Sequence, residues 1–160
     1  MQVSRVNSRS LAPAELAAWR GLLRAYGALV HDLDTELRAA HDLSLHEYEV
    51  LLVLSDAPES RMRMSDLAAA VLLSQSGLTR LVDRLALAGA VARTRCEDDR
   101  RGLNAELTAA GRTRLEQARP THLAGVRSRF LERFDEAELR VLAGFWERML
   151  PGATAESISE

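Results

Sequence analysis

Residues 65–95 read SDLAAAVLLSQSGLTRLVDRLALAGAVARTR, and this stretch decides the fold. Ser65 reads as the N-cap of a short helix over 66–72, in which Leu67, Ala68 and Val71 share one face. Leu73 and Ser74 make a turn. A second helix is predicted from Gln75 to Ala88, with Leu78, Leu81, Val82 and Leu85 facing inward at steps of three and four. Gly89 stands where a left-handed residue ends such a helix. Two short strand-like runs follow, Val91 to Arg95 and Leu103 to Leu107, on either side of the charged tip Cys-Glu-Asp-Asp-Arg-Arg-Gly at 96–102. Two short helices with a tight turn, then a two-stranded hairpin with a basic tip, describe a winged helix-turn-helix. The expected fold class is mainly α with a small β-hairpin wing: a winged helix-turn-helix plus a helical dimerisation region.

In that arrangement the second helix enters the DNA major groove, with its N-terminal residues at the base edges. Those residues are Ser74, Gln75, Ser76, Gly77, Thr79 and Arg80. Glutamine suits adenine, arginine suits guanine, and serine or threonine can serve bases or phosphates. Arg84 and Arg95 add cationic reach, and Arg84 is expected to serve a salt bridge as readily as a phosphate. At the wing tip, Arg100 and Arg101 can reach the minor groove, with Asp98 and Asp99 beside them, and an adjacent aspartate can aim one guanidinium through a bidentate pair.

The flanking sequence is helical. From Pro13 to about Ala40, Leu16, Trp19, Leu22, Leu23, Tyr26, Leu29, Val30, Leu33 and Leu37 recur at helical spacing. Ser44-Leu-His-Glu47 is a capping box that opens a helix ending near Pro58, and residues 59–63 read as a polar loop. Thr108 caps a helix over about 109–131, in which Pro120 predicts a kink. Asp135-Glu-Ala-Glu138 is a second capping box, opening a last helix that stops before Pro151-Gly152. The expected organisation is a loose arm at 1–12, a helical dimerisation region at 13–40 and 108–150, a DNA-binding unit at 41–107 and a polar tail at 151–160. The outer helices carry more apolar side chains than a single winged helix can bury. Leu16, Phe130, Leu142, Phe145, Trp146 and Met149 are therefore expected in a homodimer interface.

Composition narrows the classes further. The chain has 160 residues and is 47% hydrophobic but only 4% aromatic, which suits Leu/Ala-rich helical packing. Net charge is −2, yet the segment from Arg61 to Gly102 holds eight arginines against five acids, leaving the remainder acidic. A basic middle between acidic flanks suits one module that meets phosphate. The single cysteine, Cys96, excludes an intramolecular disulfide and a cysteine-based zinc site. No apolar run approaches a membrane span and residues 1–10 lack a signal core, so the expected location is the cytoplasm.

The runs Leu67-Ala-Ala-Ala-Val, Ser76-Gly-Leu-Thr-Arg-Leu-Val-Asp-Arg-Leu and Ala88-Gly-Ala-Val-Ala-Arg resemble the MarR family of bacterial regulators. So does the wing, Asp99-Arg-Arg-Gly-Leu-Asn-Ala-Glu-Leu-Thr-Ala-Ala-Gly111. The resemblance implies a homodimer that straddles a near-palindromic operator, acts as a repressor and is released by a small aromatic or phenolic ligand. It maps Ser76, Thr79 and Arg80 onto recognition-helix positions, Asp99 and Arg101 onto the wing signature, and Asp83-Arg84 onto a recurrent pair. The family's peroxide sensors keep a cysteine near the N-terminal helices, and none stands there in this chain.

For an aromatic anion, the candidates on the first two helices are Trp19, Tyr26, His31, His46 and Tyr48, with core packing as the plain alternative for the three aromatic rings. His41, Asp42 and His46 lack the spacing of a zinc site on one helix face, so no metal and no cofactor is expected. Serine, histidine and aspartate occur without a nucleophile elbow, and capping accounts for Ser44, Ser65, Glu47 and Glu138; no enzyme activity is expected. The reading from a different class is a winged helix used as a protein-interaction module, which would tend to lose the basic tip and the polar helix face kept here.

Overall fold

The computed structural model describes residues 10–95 and 102–152. Helix α1 (Pro13–His41) is followed by α2 (Leu45–Asp56), strand β1 (Arg61–Arg63), α3 (Met64–Ala70), α4 (Gln75–Leu87), β2 (Val91–Arg95), β3 (Leu103–Leu107), α5 (Ala109–Arg129) and α6 (Glu136–Met149). Short 3-10 turns at Pro58–Ser60 and Leu131–Arg133 lead into β1 and α6.

Local chemistry sets most of the boundaries. Ser44 accepts from Glu47 N–H at 3.2 Å while Glu47 Oε2 takes Ser44 N–H at 2.8 Å, so the capping box that opens α2 is complete. Thr108 and Asp135 cap α5 and α6 in the same way, from Gly111 N–H and Glu138 N–H. Helix α5 runs on through Pro120 as one helix. Helices α3 and α4 both end in a paired wrap of the backbone. In α4, Ala90 N–H bonds Leu85 O at 2.8 Å and Gly89 N–H bonds Ala86 O at 3.0 Å, with Gly89 at φ +71°. In α3, Leu73 N–H bonds Ala68 O at 2.9 Å and Leu72 N–H bonds Ala69 O at 3.3 Å, but here the left-handed residue is Leu72 at φ +54°. That wrap ends α3 two residues earlier than its apolar spacing suggests.

Two expectations need correction. The segment 59–63 is not a loop throughout: β1 pairs antiparallel with β3 and adds a third strand to the expected β2–β3 hairpin, in the order β1-β3-β2. Three residues of alternating Arg-Met-Arg are too short to show a period, and the pairing is long-range. Ser65 is not the cap of α3 either. The helix begins at Met64 with Arg63 at the N-cap, and the Ser65 hydroxyl bonds Asp66 instead.

The core is one cluster. Leu33 and Leu37 of α1, Tyr48, Val50, Leu51 and Leu54 of α2, and Leu67 of α3 meet Leu78, Val82 and Leu85 of α4, with Ala105 of the sheet and Leu115 of α5. Each fully buried leucine contributes about 1.5–3 kcal/mol of apolar transfer. Helix α6 is different: none of its residues is buried. Between α6 and the N-terminal half of α1 lies an apolar cleft of ≈ 960 Å³, lined by Tyr26, Leu29, Phe130, Phe145, Trp146 and Met149 among others.

Candidate nucleic-acid interface

Helix α4 is divided lengthwise by its sequence. Leu78, Leu81, Val82 and Leu85 are buried, as their spacing predicts. On the opposite side Ser76, Thr79, Arg80, Asp83, Arg84 and Leu87 are exposed, with Ser74 and Gln75 at the N-terminal end. The Ser74 hydroxyl accepts from Gly77 N–H at 3.1 Å and lies 3.3 Å from the Ser76 hydroxyl. A Cβ at position 77 would stand 3.1 Å from Ser74 Oγ, so the cap itself favours glycine there. Thr79 Oγ1 donates to Gln75 O at 2.8 Å, which leaves its methyl group and its acceptor lone pair for an outside partner.

Two ion pairs brace the exposed face from its flanks. Asp83 takes Arg93 of β2 at 2.7 Å, and Arg84 Nε donates to Glu47 of α2 at 3.1 Å. The Asp83-Arg84 pair is thus divided between the wing strand and α2. Arg84 keeps 58% of its side chain exposed, while Glu47 keeps 12%. Burial opposes the ionisation of Glu47. The bonds from Ser44 and Arg84 outweigh it, so the carboxyl lies below its ordinary value. The capping role of Glu47 is readable in the sequence; its second partner, 37 residues away, is not.

Arg95 is exposed at the end of β2. The wing-tip candidates Asp99, Arg100 and Arg101, together with Cys96, lie outside the described residues.

The ligand candidates do not gather in one place. Tyr26 is 62% exposed and lines the α1–α6 cleft, but Trp19, His31, His46 and Tyr48 do not line it. His31 is exposed on α1, and His46 pairs with Glu49 at 2.9 Å. Tyr48 is 2% exposed and stacks on His122 of α5 with ring centroids 4.5 Å apart. Of the interface candidates, Phe130, Leu142, Phe145, Trp146 and Met149 all line the cleft; Leu16 is half-buried elsewhere on α1. Among the described residues, no group of three or more His, Cys, Asp or Glu side chains could hold a metal ion, and no helix is long and apolar enough to cross a membrane.

A split polar/apolar helix after a tight turn, next to a small antiparallel sheet, is the architecture of known regulators. The sequence profile of the MarR family matches residues 41–102. The crystal structure of AbsC, a MarR family transcriptional regulator from Streptomyces coelicolor, superimposes with a TM-score of 0.83 at 37% identity, covering 89% of this chain and 95% of that one. The chain belongs to the MarR family. Sco3205, a second MarR family transcriptional regulator from Streptomyces coelicolor, was crystallised in complex with DNA. It superimposes with a TM-score of 0.85 at 29% identity, over 89% of this chain and 93% of that one. The transcriptional repressor YetL of Bacillus subtilis is 31% identical over 115 residues, 69% of this chain and 68% of its own. The family resemblance read from the sequence of α3, α4 and the wing therefore holds.

Proposed function

We propose that the protein is a sequence-specific regulator that binds double-stranded DNA as a homodimer and acts as a repressor on a near-palindromic operator. The observation that carries this reading is the exposed face of α4. Gln75, Ser76, Thr79 and Arg80 offer donors and acceptors suited to base edges. The buried leucines behind them and the flanking ion pairs Asp83–Arg93 and Arg84–Glu47 hold that face rigid. On this reading Ser74, Arg84 and Arg95 serve phosphates, and Asp99, Arg100 and Arg101 form the wing contact. The DNA complex of Sco3205 and the repressor name of YetL support the same assignment.

The dimer rests on the outer helices. No residue of helix α6 is fully buried within one chain, and Phe145 and Met149 remain 46% and 65% exposed beside an open apolar cleft. A second copy that seats its own α1 and α6 there would remove this surface from water. Residues 13–40 and 108–150 accordingly form the dimerisation region, and 41–107 the DNA-binding unit. Release by a small aromatic or phenolic anion is the regulatory part of the proposal. Its support is family membership, together with Tyr26 and the guanidinium of Arg133 on the lining of the cleft.

A competition gel shift tests the function. Purified protein titrated against the DNA upstream of its own gene, with excess random duplex present, is expected to give a shift that the competitor does not remove. Loss of the shift to an equal mass of random duplex contradicts sequence-specific binding at that site.

A further inference from the structure

Two carboxylates flank the first turn of α2. Asp34, on α1, accepts from Leu45 N–H at 2.9 Å through Oδ1 and from Arg38 Nε at 2.6 Å through Oδ2. Glu47, on the third residue of α2, accepts from Ser44 N–H at 2.8 Å and from the Ser44 hydroxyl at 2.7 Å through Oε2. Its other oxygen, Oε1, accepts from Arg84 Nε on α4. Ser44 is 3% exposed. A series of charge-assisted bonds therefore runs from the long outer helix, through the α2 N-terminus, to Arg84 in the last turn of the recognition helix. Such bonds are about twice as strong as neutral ones and fix direction as well as distance. Only Nε of Arg84 is committed to Glu47; its Nη atoms have no partner among the described residues.

The angle between α1 and α4 matters because two copies must place their recognition helices in successive grooves. Half-site spacing in dimeric helix-turn-helix proteins follows from that geometry, and one base pair turns the target face by about 34°. We propose that Glu47 and Asp34 are positioning residues for DNA recognition: they lock the tilt of α4 against α1 and so set the half-site spacing the dimer accepts. The inference rests on the DNA-recognition reading above.

The test uses the full chain and a duplex that it selects itself from a random-sequence pool. Affinity is measured for that duplex, for versions with one base pair added or removed between the half-sites, and for unselected duplex, across a salt series. The wild type is expected to lose about tenfold or more on either spacing variant. Glu47→Gln keeps an acceptor for the Ser44 cap but removes the charge that holds Arg84, and Asp34→Asn weakens the α1 end. Both variants are expected to lower the spacing penalty to about threefold or less while the salt slope stays that of the wild type. Arg84→Met, an exposed change that removes the same ion pair, is expected to lower the penalty too, and the double variant Glu47→Gln/Arg84→Met to go no further. A wild-type spacing penalty in a folded Glu47→Gln and in Arg84→Met overturns the inference, as does an equal loss on all duplexes. Failure of the wild type to select any motif overturns the DNA-recognition reading, and this inference with it.

Discussion

Gly111→Ala tests how the winged unit is seated on the outer helices. Gly111 is the third residue of α5, where the Thr108 hydroxyl takes its N–H at 3.0 Å. A Cβ built there stands 2.0 Å from Ala90 O and 2.8 Å from Leu107 Cδ1. Real Cβ atoms essentially never come within 3.0 Å of a neighbour, so α5 and the start of β2 must part by roughly 1 Å. The obstructing atom is backbone, and it already accepts Thr108 N–H at 3.1 Å. Overpacking of this kind costs about 1–3 kcal/mol, and a weakened hydrogen bond adds about 1 kcal/mol. Replacing glycine by alanine inside a helix returns only about 1 kcal/mol. The net expectation is a loss of about 2 kcal/mol, or roughly 4–8 °C in Tm for a chain of this size. Thermal unfolding followed by circular dichroism, at one fixed protein concentration, reads it. Gly125→Ala is the control. Its Cβ meets Glu36 Oε2 and Leu33 Cδ2, both at 2.7 Å, but these are side-chain ends and not backbone, so a small shift of each relieves the contact without parting two elements. That variant is expected within about 1 kcal/mol of the wild type. A Gly111→Ala protein that melts no lower than the wild type, or higher than Gly125→Ala, refutes the reasoning.

Phe145→Glu places a charge at the mouth of the α1–α6 cleft, and sedimentation should then find a monomer or a weakened dimer; an unchanged dimer would put that residue outside the interface. Leu72→Gly relieves a left-handed, 84% exposed leucine and should raise stability by about 1 kcal/mol in urea titration, whereas a fall would mean the side chain makes a contact not accounted for. His122 is held below its ordinary pKa of 6.5 by burial and by nearby Arg119, and its Nδ1 has no partner among the described residues. The unfolded chain then binds the proton more readily, so the contribution of neutral His122 to stability is complete above pH 6.5 and falls as pH drops below it, until the lowered folded value is reached. His122→Phe should flatten that part of the pH–stability curve, and an unchanged slope would assign the effect to another group. Arg80→Ala should weaken operator binding by about 1–3 kcal/mol and reduce preference at one base position, as read from anisotropy titrations; a uniform loss on all sequences would make Arg80 a phosphate contact.

The elements most legible in the sequence are those fixed by local chemistry. Ser44 with Glu47, Thr108, Asp135 with Glu138, and Gly89 each announce a helix end, because the bonds involved span three to five residues. The buried side of α4 is equally plain, since the helical period alone puts Leu78, Leu81, Val82 and Leu85 together. Strand β1 was hidden because its stability lies in partners on β3, more than 40 residues away, and not in its own three residues. Leu72 misleads for a different reason: an apolar residue continues the helical pattern of α3, yet the backbone turns left-handed there without the glycine that signals such a turn. Within the candidate site, the polar residues of α4 are readable one by one. The bracing is not, since Arg84–Glu47 and Asp83–Arg93 join residues that only the tertiary fold brings together. Tyr48 illustrates the same limit, because helical spacing cannot distinguish a ring stacked on His122 in the core from one that faces a ligand.

Selection of duplex DNA from a random-sequence pool by the purified protein, followed by titration of the enriched duplex against the unselected pool, tests the central claim most directly. A regulator of this kind is expected to enrich an inverted repeat with half-sites about one helical turn apart, bound about 10³-fold or more tighter than the pool, with affinity that falls steeply as salt rises. A pool that emerges without any enriched motif, or an enriched duplex bound no more tightly than the starting DNA, would contradict that claim.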